Sequence, residues 1–501
     1  MSERAGDEGG VRRRALGGTA WTLLGYTCTN VLRLGGNVVL ARLLFPEAFG
    51  VMAVIGVVIQ GLWLFSDIGV GPSVIQSRRG DDPEFLNTAW TIQLVRGAAL
   101  CLLTCLLAAP VAAFYGDAEP LAAQLVWFLP AAGLSALADG AASTRVFGHQ
   151  RHLDLKRLTL LEVVSQATGL VGMVAWALLW PSVWALVAGT VLRSATRTAL
   201  SHALLTGPPN RPCWSPAAAR ELFGFGRWIL LSTVLTFCAG QLDRLILGRL
   251  VTWDLLGVYG IASALALLPV NVLRRLNRSV AFPLLSRLRD DPDGFGAAVA
   301  RVRLPLLLTS GAVIAGLAAV APELVDLLYD PRYQAAGWLL QALLIGSWLR
   351  VLELPNGAAL LALGHSGRVA LGDLVKLVAL VLLLPPGLHV YGLGGGVVAL
   401  VVAEAAKYVV TVVQLRRLQL PLFGMDLALS CLLAGTAALG ALGARGVEAV
   451  GLPLLLSVAV GSAAGALPWL AALGLWWRRR GQHTLSALAG ARGAARPAPA
   501  S

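Results

Sequence analysis

Charge is scarce in this chain. Only 13% of its 501 residues are Asp, Glu, Lys or Arg, whereas soluble domains carry about 25%. Hydrophobic residues make up 57%, and mean hydropathy is +0.72. Apolar runs of about 18 residues or more recur along almost the whole sequence, and each is long enough to cross a hydrocarbon core of about 30 Å. This composition excludes a soluble protein and predicts a helical polytopic membrane protein, since barrel strands would alternate in segments of about ten residues.

Cysteine and histidine are also rare, with six residues of each. Five cysteines lie inside apolar runs, and none has histidine or carboxylate neighbours at ligand spacing, so we expect neither a metal site nor a disulfide framework. The histidines fall at span ends, in loops or in the tail, without paired acids. The sequence contains no Walker motif and no catalytic constellation. We therefore expect no cofactor, no enzymatic activity and no direct use of ATP.

The basic residues predict how the chain is oriented. A net charge of +13 does not indicate nucleic acid, because the excess consists mostly of arginines in short loops, which is the orientation signal of membrane proteins. We predict fourteen transmembrane spans. They lie near 16–44, 48–67, 87–114, 121–144, 158–180, 183–205, 223–250, 255–284, 302–322, 334–361, 367–385, 391–414, 425–444 and 452–477. With this count, 26 lysines and arginines fall in loops on the side of the N-terminus and four on the other. Both termini are therefore expected in the cytoplasm.

One stretch of the sequence occurs twice. Residues 40–54 read LARLLFPEAFGVMAV and residues 247–261 read LGRLVTWDLLGVYGI, and a constant shift of 207 residues aligns Gly50 with Gly257. The shift contains six predicted spans, an even number, so both copies enter the membrane in the same direction. Parallel repeats of this kind are related by a pseudo-twofold axis along the membrane normal. We expect two six-helix lobes that face each other across a central cleft, as in alternating-access transporters.

The duplication also predicts the domain boundaries. We expect an N-terminal six-helix lobe (1–206), a proline-rich cytoplasmic linker (207–221), a C-terminal six-helix lobe (222–420), two additional transmembrane helices (421–480) and a disordered cytoplasmic tail (481–501).

Charged residues inside the spans are candidates for function, because a charge at the bilayer centre costs about 2.5–3.5 kcal/mol on insertion scales. Phosphate requires permanent positive charge, so we predict that four cations line the cleft and bind a phosphate-bearing substrate. These cations are Arg33, Arg96, Arg244 and Lys376. Four acids are candidates for coupling to a proton or sodium gradient: Asp139, Glu162, Asp243 and Glu404. Glu404 and Lys407, three residues apart on one helix face, are close enough to neutralise each other.

Several ordered motifs resemble one family. In the first half these are LARLLFPEAFGVMAVI (40–55), FSDIGVGPSVIQ (65–76) and LNTAW (86–90). In the second half they are FGRWILLSTVLTFCAGQLDRLILGRLV (225–251), FPLLSRLRDDP (282–292) and APELVDLLYDPRY (321–333). Together they resemble the oligosaccharide flippases of the polysaccharide transport family, and most closely its colanic-acid-exporter-like branch. This family belongs to the superfamily that also contains multidrug and toxin extruders and lipid II flippases. Asp243 and Arg244 fall inside one of these motifs, whereas Arg33 and Lys376 fall in none.

The resemblance implies a function. It implies translocation of an undecaprenyl-(pyro)phosphate-linked oligosaccharide from the inner to the outer leaflet of the cytoplasmic membrane, while the polyprenyl chain stays among the membrane lipids. It also implies a polysaccharide polymerase, a chain-length regulator and glycosyltransferases as partners. Three alternatives stay open: a lipid II flippase, an ion-coupled multidrug exporter, and a membrane-embedded O-antigen ligase or polymerase. An exporter of cationic drugs would need an acidic cavity, and a ligase would need larger outer loops with catalytic arginines or histidines.

Overall fold

The computed structural model describes residues 2–67, 69–116, 119–152, 154–288, 292–420 and 422–478. Throughout these residues the regular structure is helical, without any β-strand, which confirms the predicted all-α class. The predicted tail, residues 481–501, lies outside the described residues. The chain divides into two compact units, residues 1–260 and 261–501. The predicted lobe boundaries follow the sequence duplication instead, and they stay a prediction.

The described residues of the first unit form nine α-helices, the first part of a tenth and a short 3-10 helix, Pro120–Gln124. In chain order the α-helices are α1 (Ser2–Leu43), α2 (Pro46–Phe65), α3 (Val70–Gln76), α4 (Pro83–Gly116), α5 (Leu125–Gly140), α6 (Arg145–Arg151), α7 (Leu155–Leu179), α8 (Val183–Ala203), α9 (Pro216–Leu250) and α10 (Trp253–Ala266). Helices α4 and α5 approach closely at Gly97 and Gly140, where a Cβ atom on Gly97 would lie 2.7 Å from the carbonyl oxygen of Ala136. Small residues at such crossings allow the backbones of membrane helices to touch.

The second unit begins within α10 and continues with eight helices. These are α11 (Leu268–Leu276), α12 (Phe282–Leu288), α13 (Pro292–Ala319), α14 (Ala321–Leu328), α15 (Ala335–Ala362), α16 (Ser366–Arg417), α17 (Phe423–Ala449) and α18 (Leu454–Trp476). Helix α16 runs for 52 residues, but Gly392 has φ 58° and ψ −149° and separates it into two helical segments. Glycine tolerates this conformation because it lacks a Cβ atom. The break falls where the sequence predicts the boundary between two spans.

The apolar helices make this chain a multi-pass membrane protein. Among the described residues, nine helices are long and apolar enough to cross a membrane. The number rises to ten when α10 and α11, which meet at an angle of 42°, are counted as one broken span. The predicted count of fourteen spans stays a prediction.

Helices α17 and α18, which lie outside the sequence duplication, are part of the core of the second unit. The ring of Trp469 on α18 is fully buried and lies 5.6 Å from the ring of Trp348 on α15. The two indole N–H groups donate to hydroxyls on α17, from Trp469 to Thr436 and from Trp348 to Ser430, each over 2.9 Å. Buried indole N–H groups require such partners, so these contacts determine how α17 sits against its neighbours.

A buried ion pair also joins α17 to the rest of the second unit. Arg303 on α13 is 0% exposed, and its Nη1 lies 2.5 Å from Oδ1 of Asp426 on α17. The hydroxyl of Tyr408 donates to the other carboxylate oxygen over 2.6 Å, and Arg303 donates to the carbonyl oxygen of Leu352 over 3.2 Å. Three helical segments therefore meet at this carboxylate, and Arg303 connects them to α15.

Candidate functional site

The second unit gathers six charged side chains from three helical segments. Each segment carries an opposite pair three residues apart: Arg350 and Glu353 on α15, Asp373 and Lys376 on the first segment of α16, and Glu404 and Lys407 on the second. This spacing places both members of a pair on one helix face. The contacts between segments sort the six side chains into two sets.

The Glu404 set consists of Arg350, Lys376 and Glu404. Oε1 of Glu404 lies 2.5 Å from Nε of Arg350 and 2.6 Å from Nζ of Lys376. The side chains of Glu404 and Lys376 are 5% and 10% exposed. Lys376, predicted as a substrate ligand, is therefore held by a carboxylate, and Glu404, predicted as a coupling acid, is held by two cations. Two cations and one acid leave this set with a formal charge of +1.

The Lys407 set consists of Glu353, Asp373 and Lys407. Nζ of Lys407 lies 2.7 Å from Oδ1 of Asp373 and 3.4 Å from Oε2 of Glu353. Its formal charge of −1 balances the +1 of the neighbouring Glu404 set. Glu404 and Lys407 thus take their ion-pair partners from neighbouring helical segments and not from each other.

The first unit contains a related network around Arg197, which the sequence analysis overlooked. Nε of Arg197 on α8 lies 2.9 Å from Oε1 of Glu162 on α7, and Nη1 lies 3.7 Å from Oδ1 of Asp139 on α5. Ser194 donates its hydroxyl to Asp139 over 3.2 Å, and Arg193 lies 3.9 Å from Glu162. Asp139 and Glu162, two of the three predicted coupling acids in this unit, are therefore paired with arginine. Two arginines four residues apart in an apolar helix were the signal in the sequence.

Arg96 on α4 donates hydrogen bonds to the C-terminal end of α2. Its Nε donates to the hydroxyl of Ser66 over 2.9 Å, and its Nη2 donates to the carbonyl oxygen of Trp63 over 2.6 Å. The guanidinium carbon lies 4.4 Å from the centre of the Trp63 ring. Nη1 of Arg96 lies 3.4 Å from Oδ1 of Asp67. Only 14% of the Arg96 side chain is exposed. Basic side chains commonly satisfy the last carbonyls of a helix in this way.

Arg33 and Arg244 are the two predicted cations without a paired acid in the described part of the chain. Arg33 is exposed and donates to Asn30 over 2.8 Å. Arg244 is half-buried and lies 3.4 Å from Oε1 of Gln241. The adjacent Asp243 accepts a hydrogen bond from the hydroxyl of Tyr259 over 2.6 Å. In the described residues, Arg33 and Arg244 are therefore hydrogen-bonded to neutral amides and not to carboxylates.

A cavity of about 340 Å³ lies within the first unit between α2, α5 and α8. Its wall is largely apolar, and its few polar side chains include Gln60, Ser135 and Thr190. The hydroxyls of Ser135 and Thr190 donate to carbonyl oxygens of their own helices. Asp139 and Ser194 follow these two residues by one helical turn, so the Arg197 network lies beyond the end of this cavity.

Two arginines form a further basic group in the second unit, Arg274 on α11 and Arg278 in the π-helical turn, Asn277–Ala281, that follows it. Arg274 and Arg278 are both exposed, and no carboxylate in the described residues lies within ion-pair distance of either. Arg274 is close enough to Arg350 and Arg278 to be repelled by them, and Glu404 and Glu353 attract it from beyond ion-pair distance. Asn277 holds α11 against α15 through a 2.9 Å hydrogen bond to the carbonyl oxygen of Leu354.

Comparison with known proteins confirms the family that the motifs indicate. A family model described as polysaccharide biosynthesis protein matches residues 39–336. The chain belongs to this family. Among its relatives is the lipopolysaccharide biosynthesis protein WzxC of Escherichia coli (strain K12), with 24% identity over 360 residues, 70% of either chain. The teichuronic acid biosynthesis protein TuaB of Bacillus subtilis (strain 168) is 21% identical, over 71% of this chain and 73% of TuaB. The succinoglycan biosynthesis transport protein ExoT of Rhizobium meliloti (strain 1021) is 24% identical, over 65% of this chain and 64% of ExoT.

Solved structures share the fold of this family member. The lipid II flippase MurJ in an inward closed conformation has a TM-score of 0.65 and 12% identity, and the match covers 92% of this chain and 99% of MurJ. An inward-facing multidrug resistance transporter of the MATE family has a TM-score of 0.63 and 14% identity, over 78% and 95% of the two chains. At these identities the likeness establishes the fold. The fold is therefore that of the superfamily that the sequence motifs predict.

Proposed function

We propose that this protein is a flippase that moves a polyprenyl-(pyro)phosphate-linked oligosaccharide from the inner to the outer leaflet of the cytoplasmic membrane by alternating access. The observation that carries the proposal is the family match over residues 39–336 of a multi-pass helical chain. The name of ExoT, a transport protein for succinoglycan biosynthesis, supports the assignment to surface polysaccharide export. The fold shared with MurJ supports a lipid-linked substrate.

The phosphate of such a substrate requires cations whose donors are not already used. Arg96 donates to the carbonyl oxygen of Trp63, and Lys376 is ion-paired with Glu404. A phosphate would have to replace those contacts. Arg33 and Arg244 in the first unit and the Arg274–Arg278 group in the second have no paired acid in the described residues. Guanidinium groups bind phosphate oxygens through paired N–H donors. We therefore rank Arg33, Arg244, Arg274 and Arg278 above Arg96 and Lys376 as phosphate ligands.

The same reasoning ranks the four coupling acids. Asp139, Glu162 and Glu404 are each paired with arginine, so protonating any of them breaks an ion pair. Asp243 instead accepts a hydrogen bond from the neutral hydroxyl of Tyr259. Binding of a proton or a sodium ion at Asp243 therefore disturbs the fewest contacts. Asp243 is our candidate for coupling transport to an ion gradient.

Several cellular features belong to the same proposal. The protein resides in the cytoplasmic membrane with both termini in the cytoplasm, as the excess of basic residues on one side favours. Its substrate is delivered by glycosyltransferases at the inner leaflet. The translocated glycan is used by a polysaccharide polymerase with its chain-length regulator at the outer leaflet.

Reconstitution into liposomes tests the function. Vesicles contain a fluorescent polyprenyl-diphosphate oligosaccharide, and a glycosidase added outside measures the fraction in the outer leaflet. We expect the wild-type protein to raise this fraction, and Arg244→Gln and Arg274→Gln to lower the rate by about tenfold, the loss of one charge-assisted contact. The control is Arg332→Gln, which removes an arginine whose 2.9 Å partner is the nearby Asp330.

The same vesicles separate the alternatives. Equal outer-leaflet fractions with and without protein would refute the flippase assignment. Translocation of lipid II or of a lipophilic drug cation, but not of the oligosaccharide lipid, would favour the corresponding member of the superfamily. Formation of a longer glycan would identify a polymerase.

A further inference from the structure

The charged networks of the two units occupy equivalent positions along their helices. Arg197 is the fifteenth residue of α8, and Lys407 is the fifteenth residue after the Gly392 break in α16. Glu162 is the eighth residue of α7, and Asp373 is the eighth residue of α16. These pairs are 210 and 211 residues apart in the sequence, close to the shift of 207 that aligns the duplicated hairpin.

The third members of the two networks project from equivalent faces of their own helices. Asp139 is the fifteenth residue of α5, and Glu353 is the nineteenth residue of α15. A displacement of four residues is about one helical turn, so both acids project from the same side of their helices. In each unit a basic residue therefore meets one acid from each of the two preceding helical segments.

The contact geometry is repeated as well. In the first unit the basic nitrogens lie 2.9 Å from the acid of the middle helix and 3.7 Å from the acid of the first helix. In the second unit the corresponding distances are 2.7 Å and 3.4 Å. The basic residue is Arg197 in one unit and Lys407 in the other, so the two units have the same charge pattern with different residue types.

The neighbouring Glu404 set is not repeated. The residue 210 positions before Glu404 is Ser194, which donates a neutral hydroxyl to Asp139. Of the two ion-pair sets of the second unit, the described residues of the first unit repeat the acid–base–acid arrangement alone. A substrate bound once along a transport path would not require two identical binding sets, whereas the packing of each repeat imposes the same requirement twice.

We infer that Arg197 and Lys407 are equivalent positioning residues, each of which ties three helical segments of its own repeat into one body. Removing Lys407 leaves Glu353 and Asp373 without an ion-pair partner in the described residues. Removing Arg197 leaves Asp139 with the Ser194 hydroxyl alone and Glu162 with Arg193 at 3.9 Å. Loss of the partner of a buried charge is strongly destabilising, so we expect the helices that carry these acids to separate. The inference rests on the proposed function in one respect: alternating access requires each repeat to move as one body.

Matched substitutions test the inference in the full-length protein. Arg197→Lys and Lys407→Arg keep the positive charge, whereas Arg197→Met and Lys407→Met remove it. Arg332→Met is the control, because it removes an arginine from an exposed ion pair. Pairs of spin labels on α5 and α8, and on α15 and the second segment of α16, report helix separations in detergent without any substrate. Liposome translocation of the fluorescent oligosaccharide lipid is measured on the same proteins.

Each methionine variant is expected to broaden the distance distribution in its own unit and to lower translocation at least tenfold. The conservative variants and the control keep the narrow distribution and at least half of the wild-type rate. Narrow distributions in both methionine variants would overturn the inference, as would an effect at only one of the two positions. If wild-type protein translocates no oligosaccharide lipid, the proposed function fails while the distances still decide this inference.

A triple variant tests the inference if Lys407→Met does not fold. Where Lys407→Met yields no folded protein, the triple variant Lys407→Met, Asp373→Asn, Glu353→Gln removes the unpaired acids together with the base. It is expected to fold, because no buried charge is left unpaired, but to show broadened distances between α15 and α16. A distribution as narrow as that of wild type would overturn the inference.

Discussion

Gly50 and Gly257 stand 207 residues apart, and each lies against the backbone of the other's repeat. A Cβ atom on Gly50 would lie 2.0 Å from the carbonyl oxygen of Trp253, and one on Gly257 would lie 2.0 Å from the carbonyl oxygen of Pro46. Trp253 follows Pro46 by the same 207 residues, so the two contacts are reciprocal. Reciprocal contacts between equivalent residues are the signature of a twofold axis. Within the first unit, the starts of α2 and α10 therefore meet in a pseudo-twofold contact.

Alanine at either glycine should separate these two helices. We expect Gly50→Ala and Gly257→Ala each to lower the free energy of unfolding by about 1–3 kcal/mol, the usual cost of forcing extra volume into a packed contact. Thermal unfolding of the purified protein in detergent, followed by tryptophan fluorescence, measures the change. Gly56→Ala on the same helix is the control, because no atom lies within 4 Å of its Cβ position. Equal melting temperatures for all three variants would contradict the contact.

Asp426→Asn should destabilise the second unit strongly. The substitution keeps the side-chain shape but leaves the fully buried Arg303 without its counter-charge, which costs about 3–5 kcal/mol in buried pairs. The matched control is Asp330→Asn, whose partner Arg332 is 45% exposed. Exposed pairs contribute about 0–1 kcal/mol. Melting temperatures measure both effects, and a control as damaging as Asp426→Asn would show that burial is not the cause.

Lys376→Met should reduce the stability of the protein and not only its transport rate. Lys376 lies 2.6 Å from Glu404, so its loss leaves a buried carboxylate with Arg350 alone. A double-mutant cycle with Glu404→Gln should give an interaction energy of about 0.5–3 kcal/mol. Lys156→Met replaces one of the two other lysines of the chain, at an exposed position, and should leave the melting temperature unchanged. A normal melting temperature with lost transport in Lys376→Met would instead favour direct substrate binding.

Arg96→Lys should not be a conservative change. A lysine cannot reproduce the separate hydrogen bonds to Ser66 and to the carbonyl oxygen of Trp63, nor the stacking of a planar group on the indole ring. The expected loss of unfolding free energy is about 1–3 kcal/mol, the cost of buried polar groups left without partners. The exposed Arg33→Lys is the control for melting in detergent. Equal stability of the two variants would mean that Arg96 acts through its charge alone.

The sequence by itself determined the class and the family of this protein. An apolar composition and recurring long apolar runs are properties of single segments, so they identify membrane helices without knowledge of the packing. The duplication is equally visible, because Gly50 and Gly257 and their neighbours align without a gap. The family motifs are contiguous stretches, and the match over residues 39–336 confirms them.

Only the tertiary structure decided which charges are paired. Lys376 was predicted to bind substrate, but the helix that brings Glu404 to it begins beyond the break at Gly392. Arg197 was overlooked, although it joins Glu162 and Asp139 from two other helices. The physical reason is that the cost of a charge in a membrane depends on the group opposite to it. That group comes from helices dozens of residues away, and only packing brings them together.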